Sequence, residues 1–411
     1  MKQAARQSPP ARRSQFGRYW AAAAITSYGT AVTSVAMPVL VIEQLHASPV
    51  QTSVANAAQL VPSAALGLVA GAYVDRWRRQ SVLVWSSIGR SLSLACVPVL
   101  FLFGVLSIPM LVVALLAFGT FSVFGFAATQ SLLPRLVPGN ELVKANARLD
   151  QTDATSMTLG PALAGVLVRW LGAPVAIVVD SVSYLLEAAL VRSLRVDEPR
   201  VAVSERHLWA EIREGLSWTY RHPVLGRLAA STHVWFLANG IAMTTMQWLA
   251  LRTLHMGSAR FSLLLATLGV ATLAGASCAA WAGRRWGAGR VVLLARGLYA
   301  VAWLALVMGV AVGQGLVAVF VAQAVFGVAA GVENSNEMAL WQSVTPDRMM
   351  GRVNASRRSV NRTVGAVGAV AAGLLIQYAS IQFTVALVVV IFAVAALVVA
   401  PAAVRTVRPT D

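Results

Sequence analysis

The stretch FGTFSVFGFAATQSLLPRLVPGNELVKAN, residues 118–146, has a counterpart in FGVAAGVENSNEMALWQSVTPDRMMGRVN, residues 326–354. The two align without a gap at an offset of 208 residues and share an initial Phe-Gly pair, a proline and a final asparagine. The same offset relates further pairs: Gly67 and Gly275, Arg76 and Arg284, Gly160 and Gly368, Gly165 and Gly373. Backbone geometry is demanding at many glycine, proline and asparagine positions, so these matches indicate two copies of one structural unit.

The composition indicates a membrane protein. Of the 411 residues, 57% are hydrophobic and 12% are charged, whereas a soluble domain carries about 25% charged residues. Apolar stretches of about 20 residues, long enough to cross a bilayer, recur twelve times without the alternating pattern of barrel strands. The predicted spans are 17–42, 50–73, 81–104, 108–132, 148–169, 174–194, 225–251, 259–282, 290–312, 315–340, 355–377 and 382–404. The sequence thus predicts an all-α membrane protein with twelve transmembrane helices in two pseudo-symmetric, six-helix halves.

The two halves are predicted at residues 1–194 and 225–411, with a polar linker at residues 195–224 between them. Within the linker, RHLWAEIREGLSWTYRHPVLGRL (206–228) has apolar residues at helical spacing, which predicts a short amphipathic helix on the membrane surface. A regulatory domain is the alternative, but the segment is too short to bury a core of its own. Two parallel repeats in a membrane are typical of transporters that rock one half against the other.

Basic residues alternate between successive loops. Every second loop is rich in arginine, whereas the intervening loops hold only Arg169, Arg252 and Arg260. By the positive-inside rule, the basic loops, both termini and the linker are predicted to be cytoplasmic. Nearly all of the 33 basic residues are arginine, which favours a GC-rich bacterial source and hence the bacterial cytoplasmic (inner) membrane. The net charge of +17 is dispersed over short loops, so membrane lipids rather than nucleic acid are the expected partner.

The loop after the second span reads GAYVDRWRRQ, residues 71–80. It resembles the signature G-x-x-x-D-R-x-G-R-R/K of the major facilitator superfamily at Gly71, Asp75, Arg76 and Arg79. Arg78 and Gln80 depart from that pattern, and the second copy has Gly283 in place of Asp75. The resemblance implies a gating latch on the cytoplasmic side, since a carboxylate at a helix end can pair with arginine. An incidental aspartate in a basic loop is the alternative.

The fifth predicted span contains SMTLGPALAG, residues 156–165. It resembles the motif G-x-x-x-G-P-x-x-G-G of proton-coupled antiporters in the same superfamily at Gly160, Pro161 and Gly165, with the small residues Ser156 and Ala164 as substitutes. Small residues at this spacing let two helix backbones approach closely, and a proline permits a kink. The resemblance implies export rather than uptake; an ordinary tight helix crossing is the alternative.

Three further stretches narrow the resemblance: residues 136–152, 214–228 and 341–359. Their order and spacing are similar to the branch of bacterial exporters that contains the enterobactin exporter and macrolide efflux proteins. One departure concerns the first span, where Gly29 is followed by Thr30 rather than by the acidic residue that is frequent in this branch. A coupling carboxylate is therefore not expected on the first helix.

Ionisable groups inside spans are energetically expensive and usually functional. The candidates for proton coupling are Asp180, Glu333, Arg90, Asp153, Glu187 and Glu337. Asp180 and Glu333 lie deepest in their predicted spans, and a carboxylate in a dry cavity can bind a proton near neutral pH. Arg90 could pair with an acid. Alternatively, Asp150 and Asp153 are favourable charges at a helix N-terminus, and Glu337 is a residue of the cytoplasmic rim.

The substrate cavity is expected to be apolar with scattered amides and indoles. Its candidate residues are Asn56, Gln59, Trp235, Asn239, Gln247, Trp248, Gln323 and Asn334, although tryptophans in membrane proteins also serve as interfacial anchors. The sequence shows no metal cluster, no phosphate-binding glycine loop and no nucleophile with an adjacent base. It therefore predicts neither a cofactor nor an enzymatic activity.

Together these features predict a secondary active transporter of the major facilitator fold that acts as a monomer by alternating access. The resemblance implies a proton-coupled antiporter that exports an amphipathic drug, siderophore or secondary metabolite. An uptake symporter or a lysolipid flippase of the same fold is the alternative.

Overall fold

A computed structural model describes residues 9–196 and 208–401 of the chain, and over these residues the protein is a bundle of α-helices. The first half contains α1 (Pro9–Val39), α2 (Pro49–Arg76), α3 (Arg79–Leu102), α4 (Ile108–Leu136), α5 (Leu142–Leu171) and α6 (Ala173–Arg192). The linker helix is α7 (Leu208–Arg221). The second half contains α8 (Leu225–Trp248), α9 (Gly257–Trp286), α10 (Ala288–Ala311), α11 (Gly315–Val344), α12 (Asp347–Tyr378) and α13 (Ile381–Val399).

The all-helical class and the twelve-helix arrangement predicted from the sequence are confirmed. Nine of the helices in the described ranges are long and apolar enough to cross a membrane on length and composition alone. The other three long helices, α2, α5 and α8, pack against these nine. Three predicted starts were wrong by six residues or more: α1 begins at Pro9 rather than 17, α5 at Leu142 rather than 148, and α12 at Asp347 rather than 355. Polar first turns extend these helices beyond their apolar runs, where hydropathy gives no signal.

The two halves pack their helices in the same way. In the first half, α1 packs on α5 and α6, α3 packs on α4 and α6, and α2 packs on α4. In the second half, α8 packs on α12 and α13, α10 packs on α11 and α13, and α9 packs on α11. Each contact of one half thus has its equivalent in the other. The repeat in the sequence is therefore a structural repeat.

The halves meet along two lines, where α2 packs on α12 and α5 packs on α9. These two contacts are equivalent under the repeat. Between them lie α1 and α4 of the first half and α8 and α11 of the second, while α3, α6, α10 and α13 pack behind. We call the space between the four inner helices the cleft.

At one end of the bundle the halves also touch through a pair of π-helical turns. Leu40–Gln44 continues α1, Leu249–Thr253 continues α8, and the two turns contact each other. Each is followed by a histidine in the left-handed region, His46 with φ 49° and His255 with φ 47°. Non-glycine residues rarely adopt this conformation, so its recurrence is a further mark of the repeat. We call this the closed end, and the opposite end, where α2 and α9 terminate, the open end.

Hydrogen bonds between the halves lie toward the closed end. The backbone N–H of Val50 donates to Gln377, and Asn56 donates to Gln247 Oε1 at 2.9 Å and Thr244 Oγ1 at 3.2 Å. Of the described hydrogen bonds between halves, the one from Ser359 Oγ to the carbonyl of Ala64 lies farthest from the closed end. Among the described side chains, the hydrogen bonds between the halves are therefore concentrated in the part of the interface nearer the closed end.

The linker helix α7 packs on α8 and α12, at the open end. Its Trp218 joins an apolar cluster with Leu225, Leu228 and Trp341 of the second half. The linker helix is thus attached to the second half by its apolar face, as expected for an amphipathic segment.

Small residues set the close approach of helices around α5. A Cβ added at Gly160 would overlap the Cβ of Ala31 on α1, and one added at Gly165 would overlap Ser262 Oγ on α9. At the equivalent place in the second half, a Cβ at Gly373 would overlap Ser53 Oγ on α2. Gly160 therefore fixes the distance between two helices of the first half, while Gly165 and Gly373 fix the distance between the halves.

We expect Gly160→Ala to destabilise the protein by about 1–3 kcal/mol, the usual cost of overpacking, because its methyl group would occupy the space of the Ala31 methyl. The double variant Gly160→Ala/Ala31→Gly moves the methyl from α1 to α5 and should recover most of the loss. The measurement is the thermal unfolding midpoint of the purified protein in detergent. A swap variant no more stable than Gly160→Ala would contradict this account of the crossing.

Candidate functional site

The second half contains a buried network around Arg296 of α10. Its Nε donates to Glu333 Oε1, and its Nη2 lies 3.1 Å from Glu337 Oε2. Glu333 and Glu337 are four residues apart on α11, so both carboxylates lie on one face of that helix. The Arg296 side chain is only 1% exposed. A guanidinium this deeply buried is tolerated because two carboxylates surround it.

Hydroxyl groups and a second arginine complete this set. Tyr299 donates to Glu333 Oε2 at 2.6 Å, and Thr232 of α8 donates to Glu337 Oε1 at 2.8 Å. Arg357 of α12 lies 3.5 Å from Glu337 Oε1. We call Arg296, Glu333, Glu337 and Arg357 the second-half network. It contains two cations and two carboxylates, and it ties α8, α10, α11 and α12 together.

The first half has a smaller network between α3 and α6. Arg90 Nη2 lies 2.7 Å from Glu187 Oε2, and Ser87 Oγ donates to the same oxygen at 2.7 Å. The guanidinium also stacks over the ring of Tyr184, 4.3 Å from its centroid, where a cation–π attraction adds to the ion pair. We call Arg90 and Glu187 the first-half network. Its single carboxylate is balanced by its single cation.

Asp180 of α6 lies outside both networks. Its side chain is fully buried, and it accepts hydrogen bonds from Thr33 Oγ1 at 2.6 Å and Ser183 Oγ at 3.1 Å. No arginine, lysine or histidine among the described residues lies within ion-pair distance of it. A Cβ at Gly29 would lie 2.6 Å from Asp180 Oδ1. The carboxyl group of Asp180 therefore sits directly against the backbone of α1, held by hydroxyl groups alone.

Two further coupling candidates, Glu337 and Asp153, lie in different environments from those considered in the sequence analysis. Glu337 is not a rim residue, since its side chain is 14% exposed and bonded to Arg296. Asp153 does not sit at a helix N-terminus, because α5 begins about three turns earlier, at Leu142. Asp153 is exposed and accepts a hydrogen bond of 2.5 Å from Ser27 of α1.

The gating candidates lie at the open end. Gly71 and Asp75 are on the last turns of α2, and their side-chain positions fall outside the described part of the structure. Arg76 ends α2 and is exposed, whereas Arg79 begins α3 and is buried. Only Trp77 and Arg78 connect the two helices, so any movement of α2 is transmitted directly to α3.

The amide and indole candidates lie in different surroundings. Asn56 and Gln247 bond each other between the halves, and Gln323 is buried in α11. Trp235 packs in an aromatic cluster with Tyr299 and Phe392. The remaining candidates are partly or fully accessible: Gln59, Asn239, Trp248 and Asn334.

Sequence reasoning did not single out Arg296 or Arg357. Arg296 is an isolated cation in the apolar run VVLLARGLYAV, residues 291–301, the same signal that identified Arg90. Arg357 lies about three turns inside α12, in the polar part of that helix. Its pairing with Glu337 depends on that helix being longer than its apolar part.

The chain belongs to the Major Facilitator Superfamily, whose sequence model matches residues 19–238 and 228–411. It is 31% identical over 216 residues to the multidrug efflux pump Tap of Mycolicibacterium fortuitum, which covers 51% of this chain and 53% of Tap. It is 28% identical over 223 residues to the uncharacterized transporter YfiS of Bacillus subtilis (strain 168), which covers 53% of this chain and 52% of YfiS. The chain thus matches about half the length of these relatives.

Solved structures show the same fold at low sequence identity. A bacterial homologue of the iron transporter ferroportin, in its inward-facing state, matches with a TM-score of 0.76 and 18% identity over 96% of this chain and 98% of that one. The xylose transporter XylE from E. coli, in its inward open conformation, matches with a TM-score of 0.69 and 14% identity over 94% and 95%. The protein is therefore a multi-pass membrane transporter.

We expect Arg90→Met to lower stability by about 3–5 kcal/mol, because it leaves the Glu187 carboxylate buried without its cation. The double variant Arg90→Met/Glu187→Gln removes both charges and should recover most of the thermal unfolding midpoint. Arg135→Met removes an exposed arginine at the end of α4 and serves as the control with little effect. If the double variant were no more stable than Arg90→Met, the ion pair would not be what holds α3 to α6.

Proposed function

We propose that this transporter exports an amphipathic compound across the bacterial cytoplasmic membrane in exchange for protons. The observation that carries the proposal is Asp180, a buried carboxylate beside an inner helix of the cleft, with no cation of the described residues within ion-pair distance. The sequence identity of 31% with a multidrug efflux pump, over about half of the chain, favours export. The packing of Gly160 and Gly165, in the segment that resembles the antiporter motif, favours it as well.

The basic loops assign the sides of the membrane. Arg76, Arg284 and Arg285 lie at the open end, where α2 and α9 terminate. By the positive-inside rule the open end and both termini face the cytoplasm. An exporter takes up its cargo in the state that is open to the cytoplasm, at this end of the bundle.

Asp180 suits proton exchange better than the other carboxylates. Glu187, Glu333 and Glu337 each bond an arginine, so a proton bound there would disrupt an ion pair. The Asp180 carboxylate bonds only hydroxyl groups among the described residues. A hydroxyl group can donate a hydrogen bond to the charged carboxylate or accept one from the protonated carboxyl group. Asp180 can therefore hold a proton in one state and lose it in another without breaking an ion pair.

The position of Asp180 links its proton to the helices of the cleft. It bonds Thr33 of α1, and two residues before Thr33 the methyl of Ala31 meets Gly160 of α5. α5 in turn packs on α9 of the second half. A change of charge at Asp180 alters the α1–α6 contact, and this changes the relative populations of the states in which the halves separate at one end or the other.

Asp180 also supplies a carboxylate near a position of α1 where related exporters often have an acidic residue and this chain does not. The related exporters often carry an acid after the glycine of the first helix, where this chain has Thr30. Here the carboxylate comes from α6 and reaches the same segment of α1, against Gly29. A single chain holds both halves and this carboxylate, so we propose that the monomer is the working unit.

The test uses everted vesicles from an efflux-deficient bacterial host and a compound found by a resistance screen in that host. We expect an imposed proton gradient to drive accumulation of the compound, and each addition to release protons measurable with acridine orange. Asp180→Asn should abolish proton-driven accumulation while the compound still binds to the protein, because the carboxyl group carries the proton and not the cargo. Glu141→Gln, an exposed carboxylate on the turn before α5, is the matched control.

Two outcomes would overturn the proposal. Proton-coupled accumulation by Asp180→Asn at the wild-type rate would place the coupling site elsewhere. Proton-driven movement of the compound in the opposite direction would identify an uptake symporter, and lysolipid movement without proton exchange would identify a flippase.

A further inference from the structure

Two of the α12 arginines whose side chains the structure describes, Arg358 and Arg362, are not part of the second-half network. Arg357 turns toward Glu337, but Arg358 and Arg362 are exposed, and no carboxylate among the described residues lies within ion-pair distance of either. They are four residues apart and therefore neighbours on one face of the helix. Like charges at this spacing repel each other, so this face of α12 has an unbalanced positive charge.

Contacts of α12 show where this face points. Ser359 bonds the backbone of α2, and Asn361 bonds His233 of α8 at 2.7 Å, so α12 has a neighbour on each side. Between those two contacts, the Arg358 guanidinium lies 4.4 Å from the ring centroid of Phe126 on α4, in the other half. α4 and α8 are inner helices, so Arg358 faces the cleft.

The opposite face of α12 is apolar. Val367 and Leu374 are exposed there, as expected for side chains in contact with lipid tails. Arg362 lies one turn from Arg358 on the cleft side of the helix. The two arginines are thus accessible from the cleft rather than from the bilayer core.

The repeat carries the opposite charge at the equivalent place. Asp150 of α5 precedes Arg358 by the repeat offset of 208, and Asp150 and Asp153 are both exposed. α5 and α12 are equivalent helices on opposite sides of the cleft. The cleft therefore has a basic wall on α12 and an acidic wall on α5, and any bound molecule experiences a field directed from one wall to the other.

We propose that Arg358 and Arg362 form an anion-binding subsite in the cleft, which takes a carboxylate, sulfonate or phosphate group of an amphipathic cargo. Guanidinium groups bind such anions through paired, charge-assisted hydrogen bonds, and an anion relieves the repulsion between the two arginines. The acidic wall on α5 orients the anion toward α12. This inference rests on the proposed function, since it names the chemical class of the cargo in the same cleft.

The test is equilibrium binding of two fluorescent probes that share a dansyl group and an alkyl chain but differ in charge. 6-(Dansylamino)hexanoate ends in a carboxylate, and dansylcadaverine ends in an ammonium group. Full-length protein in phosphatidylcholine nanodiscs should bind the carboxylate at least about tenfold more tightly, because a charge-assisted hydrogen bond is worth a factor of this order. Arg358→Gln and Arg362→Gln should each remove most of this preference.

Two control variants isolate the effect of charge at the subsite. Arg290→Gln removes an exposed arginine from α10, which packs behind the cleft, and should keep the full preference. Asp150→Asn should leave carboxylate binding unchanged or tighter, since it removes a negative charge from the acidic wall. Equal binding of both probes by the wild type, or an unchanged preference in both arginine variants, would overturn the inference.

A lipid headgroup offers the same chemistry as a cargo anion, and a second set of nanodiscs separates the two sources. If added phosphatidylglycerol weakens carboxylate binding more in the wild type than in Arg358→Gln, a lipid occupies the subsite and the assignment to cargo is overturned. Equal weakening in both proteins supports the assignment. The binding assay is independent of flux, so a protein that binds the carboxylate but transports nothing would contradict the proposed function alone.

Discussion

Charge in a low-dielectric interior needs a partner, and this constraint organises the bundle. Removing one member of a buried ion pair costs several kcal/mol, so the helices that carry the members are held together. Every ion pair among the described residues joins helices of the same half: Arg90 with Glu187 in the first, Arg296 and Arg357 with the glutamates of α11 in the second. Each half is thereby fixed as a unit by interactions that water cannot readily replace.

The interface between the halves is built differently. Where they meet, the described contacts include glycine against serine, as at Gly165 with Ser262 and Gly373 with Ser53, neutral hydrogen bonds such as Asn56 with Gln247, and the cation–π contact of Arg358 with Phe126. Close packing of small residues gives precise fit without buried charge, and neutral hydrogen bonds are individually weak in net terms. The halves can therefore separate at one end and rejoin at the other at low cost, which is what alternating access requires.

Much of this fold follows from the sequence because apolar length and backbone-demanding residues are local signals. The twelve helices and the repeat needed no tertiary information. The predicted starts of α1, α5 and α12 were wrong because the first turns of these helices are polar. For the same reason Asp153 was wrongly considered as a charge at a helix N-terminus. The partner of Arg90 could not be chosen among the acids, since only the packing of α3 on α6 selects Glu187 over Asp180. The two π-helical turns and the left-handed His46 and His255 have no propensity signal that would have revealed them.

In this mechanism two rigid halves separate at either the closed or the open end, and the protonation state of Asp180 determines which of the two states is more populated. Distances between pairs of spin labels, introduced in a background lacking Cys96 and Cys278, test it most directly. In the presence of cargo, a shift from acidic to alkaline pH should lengthen the distance between labels at Gln44 and Arg252, at the closed end. The same shift should shorten the distance between labels at Arg76 and Trp286, at the open end. The distance between Gln44 and Phe103, within the first half, should stay constant, and Asp180→Asn should keep the acidic pattern at every pH. A change within the first half, or the same response to pH in Asp180→Asn as in the wild type, would contradict the account.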